Sequence, residues 1–118
     1  MNSLFDKIGA ELRRGLVQIV ALSLLRERLY GYQIVKILAA AGLETEEGTL
    51  YPLLRRLENQ GLLDSEWREE ERRNKRFYRL SAAGEAILER LMAEWKGINA
   101  SLSRIAAPQY ARAARRAK

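Results

Sequence analysis

Residues 45–80 constrain this chain more than any other stretch. They read TEEGTLYPLLRRLENQGLLDSEWREEERRNKRFYRL. A short helix runs into Gly61, then a strand, a charged loop and a second strand. Leu50, Leu53, Leu54 and Leu57 recur three and four apart, so they share one helix face. The opposite face is centred on Gly48, Pro52, Arg55 and Asn59, with Tyr51 and Arg56 on its flanks. A helix that is apolar within and basic without, followed at once by a hairpin, is the layout of a winged helix-turn-helix. In that layout the helix enters a DNA groove and the hairpin grips the flanking backbone.

The hairpin is expected as strands 62–67 and 76–80, joined by the loop REEERRNK. The end of that loop, RRNKR, is locally basic. Pro52 lies beyond the first turn of its helix, so it forfeits a backbone hydrogen bond and crowds the carbonyl of Gly48. A local rule broken on an exposed face points to function, against the plainer reading of a tolerated kink.

The flanking chain reads as helix. Residues 1–28 carry Leu12, Leu16, Ile19, Val20 and Leu24 at helical spacing, with the first dozen residues as a short arm. Tyr30-Gly31-Tyr32 punctuates the chain. A second helix follows with a buried stripe of Ile34, Ile37, Leu38 and Ala41, and Gly42 is its stop. Thr45 is the expected N-cap of a third helix over residues 46–60. Ser81 caps a long last helix, and Pro108 ends it. Along that helix Leu88, Leu91, Trp95, Ile98, Leu102 and Ile105 step by 3, 4, 3, 4, 3, which is a coiled-coil seam. A second copy of the same helix is its simplest cover; the alternative is the N-terminal arm.

The expected fold is therefore mainly α with a small β-hairpin. Residues 1–80 hold the arm and the winged helix-turn-helix, 81–107 a dimerisation helix, and 108–118 a flexible basic tail with Arg112, Arg115, Arg116 and Lys118.

Composition narrows the function. At 118 residues the chain is one domain with a net charge of +6, which favours an anionic partner. Residues 45–80 hold eight basic and eight acidic side chains, so their arrangement matters more than their sum. The chain has no Cys and no His. That removes disulfides, thiolate chemistry, zinc-finger ligands and the usual general base. The carboxylate runs at Glu44, Glu46 and Glu47 and at residues 69–71 read as solvated faces. No enzyme, metal site or cofactor is expected. The longest apolar run, residues 19–25, is interrupted by Ser23 and is too short to span a bilayer. With no signal segment at the N-terminus, a cytoplasmic protein is expected.

Several blocks resemble the PadR family of bacterial transcriptional regulators, in particular its short members with a single terminal helix. They are Tyr30-Gly31-Tyr32-Gln33-Ile34, the run from Glu47 through Gly48-Thr49-Leu50-Tyr51-Pro52-Leu53-Leu54-Arg55-Arg56 to Leu57-Glu58, and Gly61-Leu62-Leu63. The strand Arg76-Phe77-Tyr78-Arg79-Leu80-Ser81 with Ala82-Ala83-Gly84 resembles the family's exit from the wing. The GTLYPLLRRLE block is the specific signal. One departure is Arg73-Asn74, where the family often has Gly-Arg before the second wing strand.

The resemblance implies a homodimeric repressor on an inverted-repeat operator, often of detoxification or efflux genes. It implies that Arg55, with Thr49, Tyr51, Pro52, Arg56 and Asn59, faces double-stranded DNA, and that Arg73, Lys75 and Arg76 hold the adjacent backbone. It further implies a planar aromatic effector at the dimer centre, where Trp95 is the platform; the plainer reading of Trp95 is a hydrophobic knob. The rival to this whole reading is a winged helix used for protein contacts without specific DNA binding.

Overall fold

The computed structural model describes residues 3–43 and 45–116, with 110 and 111 described by backbone alone. Glu44 and Lys118 lie outside the described residues. The order of elements is α1 (Ser3–Leu24), β1 (Leu29–Tyr30), α2 (Gly31–Ala40), α3 (Glu47–Asn59), β2 (Leu63–Glu70), β3 (Arg73–Leu80), α4 (Ala82–Ala106) and α5 (Pro108–Arg116). The architecture is mainly helical with one small antiparallel sheet of order β1-β3-β2. The chain divides into two compact units, Met1–Leu88 and Glu89–Lys118.

Helix ends in the first unit are set by identifiable residues. Gly42 (φ 83°) and Gly61 (φ 81°) adopt the left-handed conformation that L side chains resist. After α2, Leu43 N–H donates to the Leu38 carbonyl at 2.8 Å and Gly42 N–H to Ala39 at 3.0 Å. After α3, Leu62 donates to Leu57 and Gly61 to Glu58 in the same way. Both ends are Schellman motifs, which satisfy carbonyls that a helix end leaves open. Ser81 caps α4 as its sequence suggested: its Oγ accepts from Gly84 N–H at 3.0 Å and donates to the Gly61 carbonyl at 2.6 Å. The cap of α3 differs from expectation. Glu46 is the N-cap, and Thr45 Oγ1 turns back to the Leu43 carbonyl.

The core of this unit is aliphatic. Leu22, Leu25, Ile34, Leu38, Leu50, Leu54, Leu57, Leu63 and Leu88 are all fully buried. Each such side chain contributes roughly 1.5–3 kcal/mol relative to an exposed one. Ile37 and Ala41, expected in the α2 stripe, are exposed instead. Leu88 also corrects the sequence reading. It is 0% exposed within the first unit, so it is core and has no surface to offer a partner.

Three other elements differ from the sequence reading. The strands run Leu63–Glu70 and Arg73–Leu80, paired from Leu63↔Leu80 to Glu70↔Arg73, so most of the expected loop is strand. A two-residue turn remains, with Glu71 at φ 54° and Arg72 at φ 65°. Positive φ at both positions is the signature of a type I′ hairpin, whose twist matches that of the strands. Residues 3–24 form one continuous helix rather than an arm and a helix. The stretch expected as a flexible basic tail carries helix α5, which Pro108 opens, where its missing N–H costs nothing. Exposed Arg112, Arg115 and Arg116 share one side of α5.

Candidate nucleic-acid interface

Helix α3 carries its buried leucines on one side and an open ridge on the other. Gly48, Thr49, Pro52, Arg55, Arg56 and Asn59 are exposed, and Tyr51 is half-buried. Despite Pro52 the helix is continuous from Glu47 to Asn59. The Gly48 carbonyl therefore has no donor from residue 52 and stays on the exposed ridge. Arg55 and Arg56 make no ion pair among the described residues.

The ridge has two flanks. On the first, Tyr51 and Arg55 face the hairpin across a groove of about 340 Å³, lined also by Tyr30, Trp67, Asn74, Lys75, Arg76 and Tyr78. The Tyr51 ring lies directly on Gly31, at the start of α2. Burial pushes the Tyr51 phenol above its ordinary value, helped by Glu47 and Tyr78. Tyr78 is also raised, chiefly by burial, against the opposing charges of Arg76 and Arg55. Both hydroxyls therefore remain donors at neutral pH. On the second flank, Thr49, Pro52 and Arg56 face α1 across a groove of about 610 Å³.

The wing cations differ in what they are free to do. Arg73 is exposed beside the turn. Lys75 Nζ sits 4.4 Å from the Tyr30 ring centroid, 3.3 Å from its hydroxyl and 3.9 Å from the Glu71 carboxylate. Arg76 is the one of the three that is paired with α3. Its Nη2 donates to Glu58 Oε1 at 2.8 Å and its Nε to Ser65 Oγ at 3.1 Å, while Ser65 donates to the other Glu58 oxygen. Two of its five N–H donors are used in this way, so Arg76 ties the wing to α3 and carries a charge already paired with Glu58.

Sequence reasoning missed several residues here. Trp67 is 65% exposed on β2, opposite Arg76, whose guanidinium lies 5.8 Å from its ring centroid. β1 is two residues long, too short to leave a pattern, yet it brings Tyr30 against Phe77 with ring centroids 5.2 Å apart. Arg13 and Arg14 line the second groove; their charge was visible, but nothing local links α1 to α3.

In the second unit, Ile98, Leu102 and Ile105 are 53%, 60% and 59% exposed along α4, and Trp95 and Leu91 are half-buried. No helix among the described residues is long and apolar enough to cross a membrane, and no cluster there could hold a metal ion.

The sequence model of the transcriptional regulator PadR-like family matches residues 21–90, from the end of α1 through the wing into α4. This chain belongs to the PadR-like family. It is accordingly a transcriptional regulator and not an enzyme. A PadR-family regulator from Eggerthella lenta DSM 2243 superposes with a TM-score of 0.84 at 39% identity, covering 90% of this chain and 95% of that one. Transcriptional regulator Rv3488 of Mycobacterium tuberculosis is 43% identical over 60 residues, which is 51% of this chain but only 56% of that protein. Bacillus subtilis PadR, crystallised in complex with operator DNA, shares the fold at 22% identity with a TM-score of 0.59, over 65% of this chain and 47% of that one. The PadR-like match spans α3, both wing strands and the residues of the first groove.

Proposed function

We propose that this PadR-like protein is a homodimeric, ligand-responsive repressor that acts in the cytoplasm on an inverted-repeat operator. The observation that carries the reading is the ridge of α3. It is polar, exposed and free of ion pairs at Arg55 and Arg56, and it stands beside an antiparallel wing. Thr49, Tyr51, Pro52, Arg55, Arg56 and Asn59 meet the major groove, with Arg55 reading a base edge. Arg73 and Lys75 hold the backbone beside it, and Arg76 fixes the wing in place. The operator complex of Bacillus subtilis PadR supports this use of the fold.

The dimer rests on apolar rows that face solvent, on α4 at Ile98, Leu102 and Ile105 and on α1 at Leu4, Phe5, Ile8 and Leu12. Trp95 and Leu91 complete the α4 interface. Two copies of Trp95 near the dyad present flat faces to a planar aromatic effector, whose binding weakens DNA affinity by favouring one dimer state.

Selection of bound fragments from random duplex DNA tests the core of the reading. An inverted repeat with half-sites about one helical turn apart is expected. Recovery of no common sequence would favour a protein-contact role. The effector is tested on Trp67→Phe protein, in which Trp95 is the sole tryptophan. A planar dye should quench its emission saturably.

A further inference from the structure

The second flank of α3 gives α1 a task that neither the family match nor the wing accounts for. Ala10, Arg13, Arg14 and Val17 stand at helical spacing and form one wall of the 610 Å³ groove; Thr49, Pro52 and Arg56 form the other. Arg13, Arg14 and Arg56 make no ion pair among the described residues, and Glu46 is the single acid in the lining. Arg13 reaches back along α1, with its guanidinium over Gly9 at 3.1 Å from where a Cβ would stand.

An α-helix with its side chains is about 10–12 Å across, and the major groove of B-DNA is about 12 Å wide. A helix seated in that groove therefore has a phosphodiester strand on each side. The wing serves the Tyr51 and Arg55 side. The Thr49 and Arg56 side faces the arginines of α1.

Resting on the DNA reading of α3, we infer that α1 is a second phosphate clamp, in which Arg13 and Arg14 contact the DNA backbone strand opposite the one held by the wing. The two uses of α1 do not compete. At 100° per residue its exposed apolar row (Leu4, Phe5, Ile8, Leu12) and its groove row point in roughly opposite directions. A second protomer can cover the first row while DNA meets the other.

The test compares wild type, the double variant R13Q/R14Q and the charge-preserving R13K/R14K. Each is titrated against a fluorescein-labelled duplex of random sequence at several salt concentrations. Losing two phosphate contacts should flatten the slope of log K against log salt by roughly 1.8 per bound protomer. The lysine variant should keep the wild-type slope, since a point charge suffices for this contact. Circular dichroism on all three should give the same helix content, so that a change in slope is not a loss of fold. A folded R13Q/R14Q protein with the wild-type slope would overturn the clamp and leave α3 and the wing as the DNA surface. A wild type that ignores duplex DNA even at low salt would overturn the functional reading and the clamp with it.

Discussion

Tyr51 and Gly31 are in direct contact: a Cβ placed on Gly31 would stand 2.1 Å from Cε1 of the Tyr51 ring. Beside the buried leucines, this ring packs α3 on the first turn of α2, and it forms one wall of the wing groove.

Gly31→Ala should therefore displace Tyr51. Overpacking of this kind costs about 1–3 kcal/mol, read as a lower urea midpoint. Tyr51→Ala removes the obstacle at its own cost in burial. The double variant should lose less than the sum of the two, because the methyl then occupies vacated space. Additive losses would mean that the ring and the glycine are not coupled.

Glu58 and Arg76 offer a different test, because they join α3 to the wing. Their side chains are 24% and 34% exposed, so the pair is only partly screened by water. Glu58→Gln and Arg76→Met should each lower stability by about 1–2 kcal/mol, with the double variant again less than additive. Arg76→Met should leave the salt dependence of DNA binding near that of wild type. A slope flatter by about 0.9 would instead make Arg76 a phosphate contact.

The wing shows where sequence reading reaches its limit. The leucine face of α3, the two Gly stops and the Ser81 cap were legible, because each rests on a few residues close in sequence. The hairpin was legible in kind but not in extent. A type I′ turn is usually announced by Asn-Gly or Asp-Gly, and here Glu71-Arg72 occupies it. Those residues sit inside a charge run that reads as loop, and no local signal marks the turn. Leu88 was misassigned for a related reason. Its heptad position is genuine, but whether a position faces the core or a partner depends on how far the core extends along α4. The ion pairing of Arg76 with Glu58 across 18 residues and the α1 groove are tertiary facts with no short-range trace.

The turn itself yields a prediction. Two non-glycine residues at positive φ are strained by roughly 1–2 kcal/mol each. Glu71→Asn with Arg72→Gly supplies the usual type I′ pair and should raise stability by about 1 kcal/mol, after part of the gain is lost to the greater freedom of Gly in the unfolded chain. The Glu71 contact to Lys75 is long, at 3.9 Å, and its carboxylate side is 82% exposed, so its removal costs little. A lower denaturation midpoint in the double variant would show that the native turn is not strained.

Assembly is the prediction on which the regulatory reading depends. Ile98, Leu102 and Ile105 lie on one side of α4 and are more than half exposed within a single chain. Covering such side chains is worth roughly 1.5–3 kcal/mol each, so a protein in water gains by placing them against a second copy. Sedimentation equilibrium at micromolar concentration should give twice the 13.5 kDa chain mass. Leu102→Glu would place a carboxylate in that interface, which costs several kcal/mol unless the interface opens. The variant should sediment as a monomer with its winged-helix unit still folded, since Leu102 lies outside that unit. Ala100→Glu, on the opposite side of the same helix, adds the same charge and should remain dimeric. If Leu102→Glu also stays dimeric, α4 is not the seam, and the Trp95 platform loses the symmetry that would bring its two indoles together.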